Sequence, residues 1–189
     1  MNGFEATRVF IHALEATGVD YMVAGSLSSN AFGIPRSTKD ADVVVVLKPG
    51  QLDAVIAQVG SAFELDPQAS FEAVTGTYRH IIQVVSIAFK IELFLLSRDA
   101  HDQLRFQRKQ RVHSAQVGSD LWLPTPEDII IMKLRWAKGA ARSKDTDDAR
   151  NIIAVQGDAL DWPYIHEWCE KHGTRALLDE IRVSIPPLD

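Results

Sequence analysis

The chain has 189 residues, 46% of them hydrophobic and 24% charged, which suits a folded domain with a buried core and excludes a disordered chain. Its formal net charge of −5 excludes a protein that coats nucleic acid through bulk electrostatics, and a single cysteine, Cys169, excludes an intramolecular disulfide and a multi-cysteine zinc site. No apolar stretch approaches the roughly 18 residues of a membrane span, and the N-terminus carries Glu5 in an amphipathic pattern, so neither anchor nor signal peptide is expected and the cytoplasm is the expected location.

In chain order, Phe4, Val9, Phe10, Ala13 and Leu14 recur at helical spacing and Gly18 follows where that helix would end. Tyr21 to Ala24 reads as a short strand reaching Gly25-Ser26, after which Leu27 to Phe32 is helical until Gly33 and Pro35 break it. Valine-rich Ala41 to Leu47 is a second strand, and Leu52 to Val59 a second helix after Pro49-Gly50. Shorter strands are predicted at Phe63 to Leu65, Arg79 to Ala88, Lys90 to Leu96 and around Arg111 to Val117. Beyond Trp122-Leu123 the pattern becomes helical, with segments at Glu127 to Ala141, Asp147 to Val155, Trp162 to Lys171 and Thr174 to Val183. The fold class is α/β (α+β): a mixed sheet flanked by helices, with an organisational boundary dividing 1–123 from a C-terminal helical region, 124–189.

Chemistry concentrates in VAGSLSSNAFGIPRSTKDADVVVV, Val23 to Val46. Asp40 and Asp42 stand two apart at the start of a strand, so both carboxylates project to one side while Ala41 and Val43 face the other. Two acids in a small space repel unless a cation intervenes, and Mg²⁺ takes carboxylate oxygens together with substrate phosphate oxygens. Gly25-Ser26 joins a strand to a helix, the arrangement that turns backbone N–H groups and the positive helix end toward a phosphate. Either feature alone is common.

Together they are more specific. A Gly-Ser turn, thirteen residues, then Asp-x-Asp leading into a valine-rich strand resembles the signature of the DNA polymerase β-like nucleotidyltransferase superfamily. The resemblance implies a third acid on a neighbouring strand, here Glu92 in KIELFLL, on one face with Lys90 and Phe94; the alternative is that Glu92 pairs with Lys90 or a nearby arginine. Within the superfamily the chain looks most like small bacterial AbiE-type nucleotidyltransferases, whose G-S and G-x-x-R-x-T-x-D-x-D pattern is matched by Gly33, Arg36, Thr38, Asp40 and Asp42. Their later helix of lysine, arginine and acids resembles IIIMKLRWAKGAARSKDTDDARNI, with Lys133, Arg142, Asp145 and Asp148 at the matching positions.

The resemblance implies transfer of a nucleoside monophosphate from an NTP to a hydroxyl acceptor (RNA, protein or a small molecule) by a catalytic domain spanning 1–123. Asp40, Asp42 and Glu92 are then the catalytic and metal-binding residues, holding Mg²⁺ or Mn²⁺; Gly25, Ser26, Arg36, Thr38, Lys133, Arg142, Asp145 and Asp148 bind nucleotide. It also implies an antitoxin partner if the chain is an RNA-modifying toxin. A pocket that senses nucleotide without turnover is the other reading. Arg36 either stabilises the leaving pyrophosphate or holds the Ser37 to Lys39 turn. The later segment read alone is equally a wet helical face opposite Ile130, Ile131, Leu134 and Ala137; the nucleotide reading has those isoleucines and Leu134 packing on the sheet and Lys133 reaching the phosphates with its ammonium in solvent. The six histidines show no metal-ligand spacing, the four tryptophans read as core, and the two basic clusters, Arg105, Arg108, Lys109 and Arg111, then Lys133, Arg135, Lys138, Arg142 and Lys144, read equally as solvated faces or as a local basic groove.

Overall fold

Helix α1 (Gly3–Ala16) starts at a capping box in which the Asn2 side chain accepts from the Glu5 N–H at 3.0 Å and Glu5 accepts from the Asn2 N–H at 2.9 Å. The computed structural model describes residues 1–140 and 143–186. Strand β1 (Asp20–Val23), α2 (Gly25–Phe32), β2 (Asp40–Val46), α3 (Gln51–Val59), β3 (Phe63–Leu65), β4 (Ser70–Glu72), β5 (Thr77–Val84) and β6 (Lys90–Leu95) follow. Next come α4 (Ala100–Gln107), the hairpin β7 (Gln110–Ser114) and β8 (Ser119–Leu123), then α5 (Pro126–Ala140), α6 (Ser143–Gln156), α7 (Trp162–His172) and α8 (Arg175–Val183).

The main sheet has the order β1-β2-β6-β5-β3, with β4 also on β5; β2 and β6 are parallel and the other pairs antiparallel, so the sheet is mixed as expected. Alternation assigns its two faces. Ala41, Val43 and Val45 of β2 and Ile91 and Leu93 of β6 enter a core with Phe10, Ile11 and Leu14 of α1 and Val55 of α3. On the opposite face Met22, Ala24 and Val44 pack with Phe106 of α4, beside the polar ends of β2 and β6.

Helices α5 to α8 build a separate core around Ile130, Ile131, Leu134, Ile152, Ile165, Cys169 and Leu178. The expectation that Ile130, Ile131 and Leu134 pack on the sheet is corrected here: their partners are the other C-terminal helices, because α5 crosses α6 and α7, and Phe32 of α2 is the side chain packed against both cores. Among the described residues, no helix is long and apolar enough to cross a membrane. The sequence reading missed β4, β8 and α4; in α4 the buried side chains His101, Asp102 and Arg105 are polar, so no apolar stripe announces it.

Candidate active site

The β1–α2 turn and the N-terminal ends of β2 and β6 meet in one cavity of about 510 Å³, whose opposite wall comes from the β4–β5 hairpin and α5. Gly25, Ser26, Asp40, Asp42, Glu92, Lys133 and Asp145 all line it. Parallel register sets Asp40 beside Lys90 and Asp42 beside Glu92, so the Asp-x-Asp pair and the third acid share one sheet face at one level. The Ala24 N–H donates to the Asp42 carbonyl at 2.8 Å, fixing the turn against β2.

Gly25 has φ +59°, and a Cβ there would lie 1.8 Å from Asp42 Oδ2. A side chain at this position would therefore both strain the backbone and displace the carboxylate. Burial, then the neighbouring charges of Asp40 and Glu92, push the Asp42 carboxyl up to about 7, against the opposing pull of Lys133 and Lys144. Asp40 is oriented by Thr38, whose hydroxyl donates to Asp40 Oδ1 at 2.9 Å. Glu92 is engaged by two cations: Arg79 reaches Oε2 at 2.6 Å and the Lys90 ammonium reaches Oε1.

Behind this cavity a chain of contacts ties the turn to the C-terminal helices. Arg36 donates to Ser26 Oγ at 2.8 Å and to both oxygens of Asp148, at 2.7 and 2.8 Å. Lys133 then bridges Asp148 Oδ2 at 2.6 Å and Asp145 Oδ1 at 3.0 Å. Burial alone would raise the Asp148 carboxyl, but Arg36 and Lys133 outweigh it and hold it below the usual carboxylate range. Two expectations change. Lys133 is buried, not wet, because two carboxylates surround its ammonium; and Asp148, though beside the site, stands behind Arg36 and Lys133 and away from the cavity surface. Arg36 also donates to the Ser37 carbonyl at 3.2 Å, so its contacts are those of a brace. Arg142 lies outside the described residues.

No sequence pattern announces the far wall, where Glu72, Thr75, Thr77, Arg79 and Asp102 line the cavity together with Arg105, expected on a solvated face or in a local basic groove, and Trp136, expected in the core. Their spacing has no local motif; the β4–β5 hairpin, α4 and, for Trp136, α5 bring them in. The basic run from Arg105 to Arg111 is paired internally: Arg105 with Asp102, Arg108 with Asp128, Lys109 with Asp20, and Arg111 with Glu15 and Asp120.

No protein-family profile matches the chain, and no curated protein is similar to it. Solved structures are. ANT(2″)-Ia, determined with adenylyl-2″-tobramycin, superposes at a TM-score of 0.61 with 12% identity over 92% of this chain and 98% of its own. JHP933 from Helicobacter pylori gives 0.54 with 15% identity, over 97% and 81% respectively. An antigenic nucleotidyltransferase-like protein from Paracoccidioides brasiliensis gives 0.51 with 18% identity, over 98% and 94%. At these identities the likeness establishes the fold, and the chain has the nucleotidyltransferase fold.

Proposed function

We propose that this protein transfers a nucleoside monophosphate from an NTP to a hydroxyl acceptor. The observation that carries the reading is the contact of Gly25 with Asp42: a phosphate-type turn is pressed against a carboxylate so closely that only glycine fits, at the mouth of a cavity that also holds Asp40 and Glu92. In the reaction the acceptor hydroxyl gives its proton to solvent water as its oxygen bonds to the α-phosphorus, the bond from that phosphorus to the bridging β-oxygen breaks, and pyrophosphate leaves. Gly25, Ser26 and the start of α2 seat phosphate oxygens.

The donor set suits a hard divalent cation such as Mg²⁺ or Mn²⁺ on Asp40 and Asp42, because burial first, and then the adjacent charges of Asp40 and Glu92, raise the Asp42 carboxyl, and a bound cation would favour its ionised form against both. Such an ion supplies charge neutralisation for the triphosphate and the attacking oxygen. Thr38 aims Asp40, while Arg36 positions Ser26 from behind. Glu92 serves the acceptor side, which requires Arg79 or Lys90 to yield one of its oxygens. The Gly33, Arg36, Thr38 and Asp-x-Asp pattern supports an AbiE-type relationship, and with it an antitoxin partner. The adenylyl-2″-tobramycin in the complex of ANT(2″)-Ia supports a hydroxyl acceptor.

The pairing of Glu92 with both Arg79 and Lys90 favours a second reading, nucleotide binding without turnover. Pyrophosphate release separates the two. With Mg²⁺, NTP and a pool of acceptors, the wild type should release pyrophosphate and the Asp40→Asn/Asp42→Asn variant should not; tight NTP binding without release would favour the second reading.

A further inference from the structure

Helix α4 brings one more cation to the active cavity. Arg105 lines it with only 6% of its surface exposed, so the little that the side chain leaves open is open to the cavity. Its Nε donates to Asp102 Oδ1 at 2.6 Å, and the Ser97 hydroxyl donates to Asp102 Oδ2 at 2.6 Å. The ion pair satisfies both charges yet leaves part of the guanidinium unused. Among the described residues neither terminal nitrogen of Arg105 has a hydrogen-bond partner, and neither is cut off from solvent. A guanidinium fixed through Nε presents its two remaining NH₂ groups as a fork, which suits the paired oxygens of a carboxylate or a phosphate. On the nucleotidyl-transfer reading above, we infer that Arg105 is an oxyanion seat for the acceptor, which is then an anionic alcohol with a phosphate or carboxylate group near its hydroxyl.

The place of Arg105 sets it apart from the proposed triphosphate seat. Strand order puts β2 between β6 and β1, and the Gly25-Ser26 turn follows β1. Asp102, the anchor of Arg105, is tied to Ser97 just beyond the end of β6, and so lies toward Glu92. Val44 and Phe94, opposite each other in register, line the cavity one pleat repeat beyond Asp42 and Glu92, roughly 7 Å along the strands. With Ile129 and Met132 they add apolar surface to the cavity, which strengthens a charge-assisted contact relative to water.

The carboxylates of the same wall give a cationic acceptor no comparable place. Glu92 is held by Arg79 and Lys90, Asp102 by Ser97 and Arg105, and Glu72 by the Val74 and Thr75 N–H groups. An ammonium would have to displace one of these donors, whereas an oxyanion meets a fork that is already in place.

Two measurements test the seat, and the first needs no transfer. Arginine side-chain N–H signals of the full chain would be followed by NMR, without metal or NTP, as sodium phosphate or sodium acetate is added, with Arg105→Lys identifying the Arg105 resonance. That resonance should shift and saturate, in the wild type and in Asp40→Asn/Asp42→Asn, while sodium chloride at the same ionic strength leaves it still. Saturation at a lower concentration of phosphate than of acetate identifies a phosphate as the group, and the reverse a carboxylate. No shift with either overturns the assignment. For the second, cell extract separated by ion exchange into anionic, neutral and cationic pools is the acceptor, with Mg²⁺ and α-labelled NTP. Label should enter the anionic pool. Arg105→Lys, which keeps the charge but not the fork, should raise the apparent KM for that pool about tenfold and leave the KM for NTP unchanged. Label in the neutral or cationic pool alone, or a raised KM for NTP with that for the acceptor unmoved, overturns the acceptor role. Label in no pool contradicts nucleotidyl transfer itself, and the oxyanion seat then stands or falls by the NMR response.

Discussion

Replacing Asp42 with asparagine should stabilise the metal-free protein, an unusual outcome for a residue in the heart of a site. Raising the carboxyl from 3.8 to about 7 disfavours its ionised form in the fold, by about 4 kcal/mol at 1.36 kcal/mol per pH unit. The sign follows from proton uptake. Between those two values the folded state holds the proton more tightly than the unfolded state, so stability falls as pH rises through this window, and the cost is complete above about pH 7. Local relaxation and solvent reduce the figure, and about 2 kcal/mol is expected at pH 8; for a chain of this size that corresponds to roughly 4–8 °C in melting temperature. Thermal unfolding in the presence of a chelator, at pH 5 and pH 8, measures it. The difference between variant and wild type should grow with pH, and Mg²⁺ should raise the wild-type midpoint at pH 8 while leaving Asp42→Asn unmoved. A variant that is less stable than wild type at pH 8, or a difference independent of pH, would refute the electrostatic reasoning.

Gly25→Ala should lose about 1–2 kcal/mol from the positive φ alone, and because its methyl group displaces the Asp42 carboxylate, calorimetry should show metal-dependent NTP binding lost as well. Lys133→Ala should destabilise by about 1–3 kcal/mol, since Asp145 and Asp148 lose the cation they share while Arg36 still holds Asp148; chemical denaturation measures this, and adding Asp145→Asn should recover part of it. Arg36→Lys should keep the charge but lose the fork that spans Ser26 and Asp148, so NTP affinity should fall while the melting temperature moves less than in Arg36→Ala.

Much of the cavity wall built by the β1–α2 turn and β2 was legible because its residues are close in sequence. Strand alternation alone aims Asp40 and Asp42 the same way, and the glycine at position 25 signals the close approach that Asp42 makes. Glu92 was legible as a candidate through resemblance, and the rival reading of it, pairing with Lys90 or an arginine, is what its contacts display. Lys133 was misread for a physical reason. On a helical wheel it sits at the edge of the apolar stripe and looks solvated; the carboxylates that bury it come from α6, and Arg36, which shares Asp148 with it, from the α2–β2 loop, neither of which an α5 pattern can reveal. Helix α4 and the far wall were illegible for a similar reason, since Asp102 and Arg105 are buried as a pair and a mutually satisfied pair leaves no hydrophobic periodicity.

The central claim is the identity of the bond that breaks, and label position reads it directly. The protein would be incubated with Mg²⁺, cell extract as the source of acceptor, and NTP labelled at either the α- or the γ-phosphate. Nucleotidyl transfer predicts that α-label appears on an acceptor while γ-label leaves as pyrophosphate, and that Asp40→Asn/Asp42→Asn does neither. Transfer of γ-label to an acceptor, or the same transfer of α-label by the double variant, would contradict the account.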